Sequence, residues 1–124
     1  MAIHSINHVQ LAFPAGAQAQ IRHFYHGLLG LNEVHLQPEG TLRFAAGHQR
    51  VDLVPTPAGQ PLPAVSHLAF EVDNLPALRG RLLAAQLPLV ENRALHGYLR
   101  FYVKDPAGNQ LEFLEPDTEQ GYTT

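Results

Sequence analysis

Four side chains of types that hold metal ions or move protons recur in this chain at a nearly constant offset. His8 lies in "NHVQLAF" and His67 in "SHLAFEV", 59 positions apart. Asp52 lies in "QRVDLVP" and Glu112 in "NQLEFLE", 60 positions apart. Glu112 poses the sharpest question. It stands between Leu111 and Phe113 in a stretch that otherwise reads as core, and burying an unpaired carboxylate is expensive. The eight histidines matter only where their positions converge, and His8 and His67 are the two that repeat.

The elements that must position these residues also repeat. In "IHSINHVQLAF" Val9, Leu11 and Phe13 share one face and His8, Gln10 and Ala12 the other, which is the alternation of a strand. Ala17, Ile21, Phe24 and Leu28 then recur at helical spacing, with Gly30 as the C-cap. Strands are expected at about 33–37, 41–45 and 50–54, with Gly40 and Gly47 at the turns between them. The segment 55–64, "PTPAGQPLPA", holds four prolines and reads as a linker. A strand over 65–72 then places His67, Ala69 and Glu71 opposite Leu68, Phe70 and Val72. Asn74 is the N-cap of a helix carrying Leu75, Leu78, Leu82 and Ala85, and strands are expected at 88–92, 98–103 and 110–114. Each half is thus β-α-β-β-β: module 1 over about 3–54, the linker 55–64, and module 2 over about 65–115. Such a repeat reads as an internal duplication within a single domain spanning 1–124.

Composition narrows the function. The 124 residues are 45% hydrophobic and 15% charged, which suits a domain with its own core. A net charge of −3 gives no basic field for nucleic acid or anionic lipid. No apolar run is long enough to span a bilayer. The absence of cysteine removes disulfides, thiolate nucleophiles and sulfur metal sites. The opening "MAIHSINHVQ" lacks the basic and apolar segments of a signal peptide, so a cytoplasmic location is expected.

The segments "NHVQLAF", "FYHGLLGLNEV", "SHLAFEVDN" and above all "RFYVKDPAGNQLEFLEP" resemble the vicinal oxygen chelate superfamily, which includes glyoxalase I, fosfomycin-resistance enzymes, bleomycin-resistance proteins and extradiol dioxygenases. The resemblance covers Ile3 to Glu115. It implies an α+β fold in which tandem βαβββ modules form a curved mixed sheet around a metal-binding cleft. It also implies that His8, His67 and Glu112 bind one divalent metal. Two imidazoles and a carboxylate suit Zn, Ni, Mn, Fe or Co and leave positions open for a bidentate substrate. Asp52 stands where glyoxalase I carries a glutamate, so it is expected either to ligate or to reach the metal through water. Members of this superfamily are commonly homodimers, and a homodimer is expected here.

The leading function is then a glyoxalase-like, metal-dependent lyase or isomerase that moves a proton in a small substrate with neighbouring oxygens, with Glu112 or Asp52 as the base. Gln10, Tyr98, Arg100 and Tyr102 are expected to face the substrate. The alternatives are a metal-free binder that sequesters a drug or metabolite, and a small extradiol-type dioxygenase in which Tyr98, Tyr102 or His96 would be an acid. His4, His23, His26, His35 and His48 are expected to face solvent.

Overall fold

The computed structural model describes residues 1–3, 5–37, 39–62 and 67–118; His4, Val65 and Ser66, named above, lie outside them. The chain divides into two compact units, Met1–Ala64 and Val65–Thr124, each a mixed sheet with a helical layer.

In the first unit, β1 (His8–Pro14) is followed by a short helix α1 (Gln18–Arg22), a π-helical segment (His23–Leu28), β2 (Asn32–Val34), β3 (Leu42–Ala46) and β4 (Gln49–Thr56). The sheet order is β1-β4-β3-β2. β1 runs parallel to β4 and the other pairs are antiparallel. Register sorts the side chains into rows. Leu11, Leu53 and Leu42 align across three strands, as do Val9, Val51 and Phe44. The helical layer covers this apolar face, with the Tyr25 ring stacked on Phe44 at a centroid distance of 5.3 Å. The next row, Gln10, Asp52 and Arg43, lies on the other face.

The helical stripe differs from the one expected. Between His23 and Leu28 the backbone bonds five residues apart, as in Leu29 N–H to the Phe24 carbonyl at 3.0 Å. The wider turn brings Tyr25 beside Phe24. Both are buried, while Leu28 is only half-buried. β4 also runs two residues into the proline-rich segment. Past Leu53 its β3 partner has ended and only β1 flanks it, so Pro55 sits where a missing N–H is tolerated.

One ion pair ties the helical layer to the first sheet. Arg22 donates to both oxygens of Glu33, at 2.9 and 3.2 Å. Hydrogen bonding and the nearby charge of Arg22 hold the Glu33 carboxyl below its usual range. The pair's contribution is therefore fully present above the ordinary glutamate value and fades as pH falls through the lowered one. Arg22→Ala is expected to cost about 0.5–1 kcal/mol near neutrality, the size of a partly exposed pair. The gap between variant and wild type should close in urea melts repeated below about pH 4.

The second unit contains β5 (His67–Glu71), α2 (Leu75–Ala84), β6 (Tyr98–Lys104) and β7 (Gln110–Pro116), in sheet order β5-β7-β6. β5 is parallel to β7, and β6 is antiparallel to it. Phe70, Phe113 and Phe101 form one row, with ring centroids 5.3 and 5.5 Å apart. Ala69, Glu112 and Tyr102 form a row on the opposite face. The start of α2 is held by Glu115, whose oxygens accept from the N–H groups of Asn74 (2.6 Å) and Leu75 (3.0 Å). Asn74 itself accepts from Ala77 N–H.

The strand expected at 88–92 is reduced to one bridge, Val90 with Tyr102. Pro88 has no N–H to give a ladder. Beyond Val90, the Arg93 and Ala94 carbonyls accept from the Arg100 side chain.

Candidate functional site: an imidazole beside a buried carboxylate in each unit

In the second unit Glu112 is 6% exposed at the middle of β7. Its neighbour across β5 is Ala69, whose methyl leaves space above the sheet. His67 lies one step further along the same face and reaches over, placing Nε2 2.8 Å from Glu112 Oε1. On the other side, Arg100 Nη1 donates to Oε2 at 3.4 Å. The Tyr102 ring, in register with Glu112, lies 6.2 Å edge-on from the His67 ring. Both the Arg93 and Arg100 guanidinium carbons sit over that ring, 5.2 Å from its centroid. His67, Glu112, Arg100 and Tyr102 are thus brought together. Tyr98 is half-buried two residues before Arg100, and His96 is exposed.

The first unit repeats the scheme with different partners. Asp52 is 5% exposed on β4, with Gln10 directly opposite on β1 and His8 one step along. His8 is exposed, and its Nε2 is 4.0 Å from Asp52 Oδ2. Its Nδ1 is 2.9 Å from the Asn7 side-chain oxygen. The two oxygens of Asp52 are both taken by Arg50, which donates from Nε at 2.6 Å and Nη2 at 3.0 Å. Arg43 Nε approaches Oδ2 to 3.8 Å. The hydrogen bond to Asp52 raises the Arg50 pKa above its ordinary value against some loss of solvation.

These two carboxylates differ as metal donors. Glu112 faces an imidazole nitrogen with one oxygen and makes only a long contact to a cation with the other, which fits a divalent ion joining the pair. Asp52 already has a bidentate guanidinium and a second arginine nearby, so its oxygens fit such an ion poorly. On the polar face of each sheet the described residues bring one histidine to one buried acid, His35 and Glu33 forming a further, exposed pair in the first unit, and no group of three or more His, Asp or Glu side chains gathers among the described residues. The arginine clamp was the feature least evident in the sequence. Arg50, two residues before Asp52, shares its strand face and could have been found from the alternation alone. Arg43 becomes a partner only once the β3–β4 register is fixed.

Two βα sheet units with a His-acid pair on the polar face of each define the glyoxalase type of fold. The Glyoxalase/Bleomycin resistance protein/Dioxygenase superfamily model matches residues 5–113, and the chain belongs to that superfamily. Among solved structures, a protein assigned to the glyoxalase family from Bacillus anthracis is 30% identical, covering 94% of this chain and 98% of its own, with a TM-score of 0.83. The antibiotic-binding protein TnmS3 from Streptomyces sp. CB03234 is 20% identical over 94% of this chain and 99% of its own, with a TM-score of 0.76. Lactoylglutathione lyase from Agrobacterium tumefaciens is 24% identical over 93% and 96%, with a TM-score of 0.74. No curated protein is matched. The α+β class expected from the sequence is the one found, and no helix of the described residues is long and apolar enough to cross a membrane.

Proposed function

We propose that the chain is a glyoxalase-like, divalent-metal-dependent enzyme acting on a small substrate with neighbouring oxygens, in which His67 and Glu112 are the core of the metal site and His8 supplies the second imidazole. The observation that carries this reading is the 2.8 Å approach of His67 Nε2 to Glu112 Oε1 on the polar face of the second sheet. Superfamily membership supports it. The donor set suits Zn, Ni, Mn, Fe or Co. When bound, the ion supplies Lewis-acid polarisation of the substrate's oxygens and stabilises the enolate or alkoxide that develops.

The chain's own residues do the rest. Glu112 Oε2, turned away from His67, accepts and returns the proton, and Arg100 holds that oxygen in place. Tyr102 and Arg100 line the same face, with Tyr98 on the same strand, and they orient the substrate. Asp52 is assigned to charge pairing with Arg50 and Arg43 instead of to ligation or proton transfer, and Gln10 beside it to polar contact with ligand. A homodimer is part of the proposal.

A second reading, a metal-free small-molecule binder, is favoured by one observation. Asp52 and Glu112 each already have an arginine partner without any ion. Thermal unfolding separates the two. Chelator-treated protein titrated with the five ions in turn is expected to show a saturable rise in Tm with at least one of them. Binding to the folded state alone adds about 2.7 kcal/mol at a hundredfold excess over Kd. A Tm unmoved by all five would favour the binder.

A further inference from the structure

On the second unit's polar face one cation has no acidic partner among the described residues. Two guanidiniums, Arg93 and Arg100, stand over the Tyr102 ring beside the buried carboxylate Glu112, while Glu71, the acid on that face of β5, lies exposed at the strand's far end. Arg100 already has several partners. It donates to Glu112 and to the Arg93 and Ala94 carbonyls, the latter pair at 2.7–3.5 Å. Among the described residues Arg93 makes no hydrogen bond or ion pair through its guanidinium, and its one side-chain interaction is with the Tyr102 ring. The Tyr102 hydroxyl likewise has no hydrogen-bond partner among the described residues, and although the residue as a whole is 6% exposed its oxygen is not sealed from solvent.

These features are connected. Arg100 fixes the backbone of Arg93, so that side chain starts within reach of the Tyr102 ring, over which its guanidinium lies. Tyr102 is in register with Glu112 and its ring lies 6.2 Å from that of His67. A planar guanidinium with unused donors, over the ring of a tyrosine whose hydroxyl donor is also unused, matches an oxyanion and gives a neutral amide little advantage.

We propose that Arg93, held in place by Arg100 and joined by the Tyr102 hydroxyl, is the specificity-determining group that binds the carboxylate or other oxyanion of the ligand, so that the natural ligands of this face are anionic. The inference deepens the proposed function and rests on it for taking the Glu112 face as the ligand face. Its test needs no metal, so the two can fail separately.

Chelator-treated protein is titrated with benzoate and, separately, with the isosteric neutral benzamide, and binding is followed by amide and arginine side-chain NMR shifts. Benzoate is expected to produce saturable shifts clustered at residues 93–102 with a Kd of roughly millimolar order, and benzamide none. Arg93→Gln, at an exposed position, should keep the wild-type amide spectrum and weaken benzoate about tenfold or more, the size of a charge-assisted hydrogen bond. Arg93→Lys should recover part of the loss, and the exposed-helix control Arg81→Gln should bind as wild type. Equal binding of benzamide, unchanged affinity in Arg93→Gln, shifts clustered elsewhere, or no saturable benzoate binding would each overturn the proposal.

Discussion

Asp52→Asn is expected to destabilise the protein by about 2–4 kcal/mol while leaving its metal uptake unchanged. The residue is 5% exposed and its carboxylate accepts two hydrogen bonds from Arg50. Its negative charge also balances Arg43, which is 7% exposed and whose Nη1 donates to the Leu36 carbonyl at 2.9 Å. Asparagine preserves the shape but removes the negative charge that faces the buried Arg43 guanidinium. Removing one side of such a pair costs more than the pair itself contributes, because the remaining charge stays out of water. A urea midpoint lowered by that amount, with wild-type metal content, is the predicted result. The reverse pattern, normal stability with lost metal, would make Asp52 a ligand and contradict its assignment to charge pairing.

Asp105→Ala should cost a comparable amount, about 2–4 kcal/mol, and should weaken metal binding as well. Asp105 is 4% exposed at the start of the turn that feeds β7. Its Oδ1 accepts from the N–H groups of Ala107 and Asn109, both at 2.9 Å, and its Oδ2 accepts from the Asn109 side chain at 2.9 Å. The backbone closes the same turn through Asp105 N–H to the Asn109 carbonyl at 2.9 Å. Gly108, at φ +88°, takes the left-handed position that a side chain rarely adopts. This turn sets the register of β7 against β5 and β6, and a slip of one residue would move Glu112 to the phenylalanine face. Asp105→Asn keeps an acceptor for both backbone donors, so it should recover more than half of the lost stability. Equal losses in the two variants would show that charge, and not the turn's hydrogen bonds, is what matters there. Stability and metal uptake can be followed on one sample, by urea titration before and after loading.

The pairing of His67 with Glu112 was legible because strand alternation has a fixed period. His67 and Ala69 had to share a face, as did Gln110 and Glu112, and parallel pairing of first and last strands brings those faces together. The apolar rows Leu11–Leu53–Leu42 and Phe70–Phe113–Phe101 followed from the same rule. Where a local departure from regular geometry decided the outcome, the sequence was silent. Tyr25 enters the core through a π-turn that leaves no mark on the 3.6-residue stripe. The strand expected at 88–92 became a single bridge at Val90, with Pro88 unable to donate to a ladder and the chain just beyond, at Arg93 and Ala94, held by the Arg100 side chain. The arginine partners of Asp52 were hidden for a related reason. Its resemblance to Glu112 in the repeat pointed to a shared ligand, whereas Arg50 on the same strand and Arg43 on the next give it a separate set of partners.

The most direct test of the account is the metal content of wild type, His67→Ala and Glu112→Gln after loading with the ion that raises Tm and removal of the excess. Both substituted side chains lie on one polar sheet face, and Glu112→Gln keeps the size of the residue it replaces, so folding can be verified beside the measurement. About one ion per chain in wild type, falling to background in both variants, is the predicted result. Full retention of metal in the two variants would contradict the assignment of His67 and Glu112 as the core of the site.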